Sequence, residues 1–426
     1  MNIVNLKNNT YIYFDVTQLI HWSGPVAGIP RVMLELAKRF SSENTIYVSW
    51  VKEIKSYCVI DLENTLNSNG GIVYKKSNNT NSDDVVKAGK YHPKRIAKAA
   101  INRTKYIHPS LPDRINQRRV AIQAQNYIVP DISKNDIIFI PWGEWWDDNF
   151  LTMLEDLQDN GVKLSTIIHD VGPMVTPHLS AHSTESLTNY CKRIVPICDV
   201  VFVVSKNTKK DLTLWLQENN IAVPKISVFR LGDNFEVKQQ KEIKDEYRNI
   251  VDKPFIMSVG TIEIKKNHML LYYVYKLAKS RGINLPNLLV VGRQGWKSEY
   301  FVDMVQADPD VNTKIHILTG VGDEELAWLY GKSLVTILPS MYEGWGIPIA
   351  ESLAYGVPSL SSNVTSMVEI APGITKHFNP YSTDECLQAI SDMIDNIDTE
   401  KKSAKSYKLH SWDESYVQIS KELNKL

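Results

Sequence analysis

Read for its alternation of apolar and polar positions, the chain breaks into short apolar runs bounded by polar turns: Tyr11–Val16, Thr45–Trp50, Asp136–Pro141, Lys163–His169 and Val200–Ser205. Runs of this length suit strands buried on both faces, and helical spacing separates several of them, which is the βαβ alternation of a doubly wound parallel sheet. A helix is expected from about Arg31, after the loop Ser23–Pro30 with its Gly24 and Gly28. Between Val237 and Lys253 the stretch VKQQKEIKDEYRNIVDK is charged and loses apolar spacing, as a linker does. The pattern then restarts, with strands expected at Phe255–Val259, Leu288–Val291, His316–Leu318 and Leu334–Leu338, and a helix at Lys266–Arg281. The expected organisation is α/β: a Rossmann-like domain over 1–240, a second over 241–410, and a closing helix over 411–426. In that last helix Trp412, Tyr416, Ile419 and Leu423 recur at helical spacing, which assigns them to packing.

Size agrees with two domains, since 426 residues exceed the roughly 250–300 that one core serves. Hydrophobic content of 43% with 23% charged residues is that of a globular chain. Zero formal charge gives no global attraction to nucleic acid. Cys58, Cys191, Cys198 and Cys386 show no metal or disulfide spacing and read as free thiols. No signal peptide opens the sequence and no run of ~18 apolar residues occurs, so a cytoplasmic location is expected. Ser77–Ser82 reads as a polar surface loop. One local bias stands out: from Lys87 to Arg119 ten cations face the single acid Asp113. That segment is either a solvated helical insertion or a surface for anionic lipid headgroups, where each cation contributes ~1 kcal/mol.

The densest candidate chemistry is PSMYEGWGIPIAESLAYGVP, directly after the strand ending at Leu338. Gly344 and Gly346 open a loop, and Pro348 sits where a helix starts without needing its amide hydrogen. A helix start leaves backbone N–H groups unpaired and carries partial positive charge, which suits a diphosphate. Glu343 and Glu351 flank this start, and carboxylates accept hydrogen bonds from the paired hydroxyls of a ribose or hexose. The helix dipole explains either glutamate alone; it does not explain both around one glycine loop.

The spacing from Glu343 to Glu351 resembles the E-x7-E signature of retaining GT-B enzymes of glycosyltransferase family 4. GTIEIKKN (Gly260–Asn267), LTGVGDEELAWLY (Leu318–Tyr330) and SSNVTSMVEIAPG (Ser361–Gly373) resemble family segments in the same register, so the likeness covers nearly all of the C-terminal half. It implies a GT-B fold, two Rossmann-like domains facing across a cleft with a C-terminal helix crossing back. It further implies that Glu343 contacts the donor sugar, Glu351 the nucleotide ribose, the amides of Trp345, Gly346 and Ile347 the sugar or diphosphate, and Lys266 the leaving diphosphate. IIHDVGPMVTP resembles the family's strand end at which a histidine approaches the reacting carbon, which implies that role for His169; Asp170 orients it or caps the next turn. SGPVAGIPRV resembles the glycine loop that approaches diphosphate and acceptor, with Gly28 and Arg31 as its candidates. Many relatives carry Arg where Thr261 stands, leaving Lys265 and Arg293 as candidates for the second phosphate cation. Ser205 and Gly232 also match family positions, although a helix N-cap and a turn explain them.

The resemblance thus implies a retaining transfer of a hexose, mannose favoured, from a nucleoside-diphosphate sugar such as GDP-mannose. The acceptor would be a glycan or lipid-linked oligosaccharide in bacterial surface polysaccharide synthesis, with no metal and no further cofactor. Rival readings are a nucleotide-sugar epimerase or hydrolase on the same fold, and a non-catalytic nucleotide-sugar-binding partner subunit. A dinucleotide dehydrogenase is disfavoured because no GxGxxG follows the first strand.

Overall fold

The computed structural model describes residues 10–22, 28–41, 44–67, 71–72, 86–87, 128–180, 184–233 and 250–426. The segment 77–82, most of the linker 237–253, and residues 88–119 of the basic segment lie outside them. Two sheets organise the chain. The first has seven strands in the order β3-β2-β1-β6-β7-β8-β9: β1 Ile12–Asp15, β2 Thr45–Val51, β3 Ser56–Val59, β6 Ile137–Ile140, β7 Lys163–Ile168, β8 Val200–Val203 and β9 Ile226–Val228. A small antiparallel pair, β4 Gly71–Ile72 and β5 Val86–Lys87, stands apart. The second sheet has the order β12-β11-β10-β13-β14-β15: β10 Phe255–Val259, β11 Asn287–Val291, β12 Ile315–Leu318, β13 Val335–Leu338, β14 Ser359–Ser362 and β15 Lys376–Phe378. The β10–β11, β10–β13, β11–β12, β13–β14 and β14–β15 pairs are all parallel. In the first sheet β2 and β3 pair antiparallel, and β1 pairs parallel with both β2 and β6. This is the expected α/β architecture of two doubly wound sheets.

By its internal packing the chain divides into two compact units. The first is Met1–Ile167 with Asn189–Phe202 and Ile419–Leu426, and the second is Ile168–Thr188 with Val203–Gln418. In the first unit the Phe14 ring of β1 lies 5.3 Å from Phe40, tilted to it, and 5.3 Å from Phe139, edge-on to it, and Phe202 joins Phe139 at 6.0 Å. In the second unit β10 and β11 are apolar at nearly every position for a reason the contacts make plain. Ile256, Leu288 and Val290 enter one core beneath the helix His268–Ser280, while Phe255, Met257, Leu289 and Val291 enter another on the opposite face. Successive side chains point to opposite faces, so a strand covered on both favours apolar residues on both.

Each sheet has a point where the winding reverses. From β1 the chain steps outward to β2 and β3, then resumes on the other flank of β1 at β6; from β10 it goes to β11 and β12, then resumes at β13. Ligands of open α/β sheets bind outside the carboxyl ends of the strands that flank such a reversal. Gly232 is explained by packing, not by a turn: a Cβ there would lie 2.4 Å from the Trp412 ring. Beside it the Asp233 amide donates to the His410 carbonyl at 2.8 Å, and the Arg230 amide to the Gln418 side chain at 2.9 Å, tying the start of the helix Trp412–Leu423 to this strand end. Ser205 is the N-cap of the helix Lys206–Glu218, its hydroxyl accepting from the Thr208 amide. All four cysteines are buried free thiols. None of the described helices is long and apolar enough to cross a membrane.

Candidate functional site

The reversal between β10 and β13 gathers most of the sequence-predicted residues of the second unit. After β10, Gly260 turns with φ +144° and Ile264–Lys266 forms a single 3-10 turn; Asn267 then takes a left-handed conformation before the helix His268–Ser280. The helix therefore begins two residues later than its apolar spacing predicts, and this places the Lys266 side chain over the carboxyl end of the sheet. After β13, Ser340 and Glu343 come around to meet it. The Lys266 ammonium lies 2.5 Å from Glu343 Oε1, and the Ser340 hydroxyl donates to the same oxygen at 2.6 Å. The Glu343 amide donates to Thr365 Oγ1 at 3.2 Å, while the Ser366 hydroxyl reaches the carbonyls of Glu343 and Trp345. Both charged side chains are nearly buried, at 13% and 11% exposure. Burial pushes the Glu343 carboxyl up, but the Lys266 and Lys265 charges with the Lys266 and Ser340 hydrogen bonds outweigh it and hold the group below its ordinary range. It is an anion fixed in place.

Lys265, next to it, is held firmly charged: the Asp170 carboxylate acts most strongly, against burial, with Glu343 and Glu263 adding to it. Asp170 also accepts from the Gly172 amide at 3.1 Å, so it caps the turn after β7. Capping is one of the two roles the sequence offers for Asp170; its action on Lys265 is not legible there, because that cation is remote in sequence. Tyr342, just before Glu343, packs against Gly172 and donates to Asp211 at 2.8 Å.

Gly344 shows why this loop needs glycine. A Cβ there would lie 2.0 Å from the His169 carbonyl oxygen, so the loop rests on the backbone of buried His169. Gly346 has φ +116° and begins the helix Ile347–Ala354, with Pro348 in its first turn as predicted. The amides of Trp345, Gly346 and Ile347 sit at that helix start, where N–H groups lack intrahelical partners. Glu351 is on the same helix, buried, and accepts from the Tyr330 hydroxyl at 2.8 Å; the Tyr330 ring is stacked parallel on Tyr355 at 5.3 Å. Nothing in local sequence pairs Tyr330 with a glutamate twenty-one positions on.

Thr261 and Arg293 follow the adjacent strands β10 and β11. The Ile262 amide donates to the Arg293 carbonyl at 2.9 Å, and a Cβ on Gly295 would fall 2.5 Å from the Thr261 methyl. Gly292 is tighter still, 1.9 Å from the Gly260 carbonyl by the same measure. The Arg293 side chain is exposed. Gly28 and Arg31 belong to the first unit, at the start of the helix Ile29–Arg39, where Gly28 has φ +61°. Among the described residues no group of three or more His, Cys, Asp or Glu side chains is arranged to hold a metal ion.

Comparisons with known proteins agree with this geometry. Residues 239–408 match the family model of glycosyl transferases group 1. A serotype-specific mannosyltransferase, WbdA, of Escherichia coli is 23% identical over 255 residues, covering 57% of this chain and 31% of its own length. The O-antigen chain mannosyltransferase B of Escherichia coli is 34% identical over 116 residues, 27% of this chain and 30% of that protein. The chain therefore spans about a third of the length of these curated relatives. Among solved structures, Anabaena Alr3699/HepE in complex with UDP and glucose superposes with a TM-score of 0.61 at 13% identity, covering 98% of this chain and all of that one. With its two open α/β sheets and its match to the glycosyl transferases group 1 model over residues 239–408, the chain has the GT-B glycosyltransferase fold and resembles bacterial mannosyltransferases.

Proposed function

We propose that the protein is a retaining glycosyltransferase that moves mannose from a nucleoside-diphosphate donor, GDP-mannose, to a glycan or lipid-linked oligosaccharide in bacterial surface polysaccharide synthesis. The observation that carries this reading is the buried Lys266–Glu343 pair at the β10/β13 reversal, beside the glycine loop that opens the helix Ile347–Ala354. A diphosphate leaving group gains negative charge as the glycosidic bond breaks. Lys266, Lys265 and the helix start meet that charge without having to move, which is the favourable arrangement for transition-state stabilisation. Glu343, kept anionic, accepts from donor-sugar hydroxyls; Glu351, oriented by Tyr330, accepts from the ribose; His169 stands near the reacting carbon.

The test is a transfer assay with GDP-mannose, UDP-glucose and UDP-N-acetylglucosamine against mannosyl oligosaccharides, with the product's anomeric configuration read by NMR. An α-linked product from GDP-mannose is expected, and a β-linked one overturns retention. Donor conversion at equal rate with and without acceptor overturns transfer in favour of an epimerase or hydrolase. Because Lys266 and Lys265 supply the cation, turnover should persist in EDTA; loss restored by a divalent ion refutes that. The basic segment 87–119 would hold the enzyme at the inner membrane face, and equal sedimentation with neutral and anionic liposomes would exclude this.

A further inference from the structure

The loop 342–346 rests on a turn to which the sequence assigns no role of its own. After β14 the chain enters the 3-10 turn Thr365–Glu369, with Thr365 at φ +55°. That is the left-handed region, where a β-branched side chain crowds its own backbone and persists only when its surroundings hold it there. The first two side chains of the turn show what the conformation achieves. Thr365 Oγ1 accepts from the Glu343 amide at 3.2 Å, and the buried Ser366 hydroxyl lies 2.9 Å from the Glu343 carbonyl and 2.7 Å from the Trp345 carbonyl. One turn thus fixes the backbone on either side of Gly344.

The far end of the turn is anchored by charge. Half-buried Glu369 accepts from the Lys206 amide at 2.9 Å and from the Asn207 amide at 2.8 Å, one on each carboxylate oxygen; these are the first two N–H groups of the helix Lys206–Glu218. Ser205 caps the same helix only through the Thr208 amide. The two amides it leaves are taken by a carboxylate 162 and 163 positions away, an arrangement favoured by the helix dipole as well as by the hydrogen bonds. The helix grips the loop a second time through Asp211, which accepts from the Tyr342 hydroxyl and from the Asn207 side chain, each at 2.8 Å. Loop, turn and helix therefore close a ring, all of it within the second unit.

We propose that Glu369 is a positioning residue of the donor site: its two hydrogen bonds to the start of the helix Lys206–Glu218 keep the turn Thr365–Glu369 in its strained form, and the turn keeps Glu343 and Trp345 in place. Without that anchor Thr365 relaxes toward negative φ, its hydroxyl leaves the Glu343 amide, and the Glu343 carboxylate is no longer fixed against Lys266. The loss falls on the sugar end of a donor more than on its nucleotide, because Glu351 keeps its own hydrogen bond from Tyr330. The assignment rests on the glycosyltransferase reading above.

The experiment compares the wild type with Glu369→Ala by amide hydrogen exchange, melting temperature, GDP and UDP affinity, and kcat in the transfer assay above. Exchange in peptides covering 342–347 should quicken severalfold while that of β10 and β11 is unchanged. Misplacing Glu343 should lower kcat by about tenfold or more, with nucleotide affinity kept within about twofold. At Thr365, Val keeps the shape and loses the oxygen, so Thr365→Val should reproduce this pattern; Thr365→Ser keeps the oxygen and should stay near wild type. Wild-type loop exchange in Glu369→Ala overturns the proposal, and so does quickened loop exchange with wild-type kcat. A rise in exchange spread evenly over the second unit also overturns it, since Glu369 would then be an ordinary packing contact. Should Glu369→Ala fail to fold, the two Thr365 variants decide by the same measurements. A wild type that binds neither GDP nor UDP and transfers no sugar overturns the donor reading instead, and loop exchange then still decides whether Glu369 holds the loop.

Discussion

The two reversal points make a natural pair, since both place a glutamate just beyond a central parallel strand, and the two glutamates are in opposite electrostatic states. Glu343 faces an ammonium at 2.5 Å and is held below its ordinary range; Glu144 faces a neutral amide at 2.6 Å with two acids nearby and is pushed up to about 7. Topology locates both glutamates, but neighbouring charge decides the state of each. A fixed ammonium at one and neighbouring carboxylates at the other give the two strand ends opposite local charge.

Four results would break or sharpen that contrast. The largest should come from Lys266→Ala, which removes a fixed cation from the developing charge and should lower kcat by about 10²–10³-fold; Lys265→Ala should cost less, and a Lys266→Ala variant with wild-type kcat would remove the donor site from this reversal point. Next is the glycine contrast. Gly344→Ala drives a Cβ into the His169 carbonyl and should cost about 3 kcal/mol or more in denaturant unfolding, whereas Gly28→Ala meets no atom within 4 Å and should cost only about 1–2 kcal/mol for its positive φ. Equal losses would show that the close contact is absent.

The third result is a difference of sign with pH. Glu144 has a raised carboxyl, so the stability it contributes is present below its unfolded value and is lost as pH rises through about 7. Asp15, raised to about 6 by burial against its hydrogen bonds, acts in the same direction. Glu144→Gln should therefore gain melting temperature relative to wild type between pH 5 and pH 8. Glu343 is depressed, so its contribution is present above its unfolded value and is lost as pH falls through the folded one. Glu343→Gln should lose melting temperature at neutral pH and converge on wild type in acid. Parallel curves for the two variants would refute the electrostatic contrast. The smallest effect is expected from Tyr330→Phe, which releases Glu351 from one hydrogen bond and should raise donor KM by a few fold while leaving kcat nearly unchanged.

The strands of the parallel sheets were legible because they are buried on two faces. Phe255–Val259 is found with the bounds its apolar run predicts, and β1, β2, β6, β7, β8, β11, β12 and β13 lie within a residue or two of theirs. β14 could not be read that way. Its sequence SLSS looks like a turn, yet three of its four residues are buried serines, and Ser359 shares a hydrogen bond with Thr336 of β13. β3, β9 and β15 also escape a search for apolar runs, being short strands toward the sheet edges. The helix after β10 starts two residues later than expected for a local reason: Lys266 fits helical spacing, but Asn267 in a left-handed conformation interrupts it.

By itself the sequence determined the α/β class, the central strands, the glycine loop from Glu343 to Ile347 and the residue types able to meet a phosphate and a diol. Those features depend on near neighbours along the chain, through side-chain period, the freedom of glycine and the amides of a helix start. Only the tertiary structure decided that Lys266 pairs with Glu343 seventy-seven positions away, that Tyr330 orients Glu351, that Gly344 rests on His169, and that Trp22 meets Trp142 across a reversal. A parallel sheet brings the ends of strands distant in sequence to one edge, and charge and contact there depend on distance in space, which a linear reading does not contain.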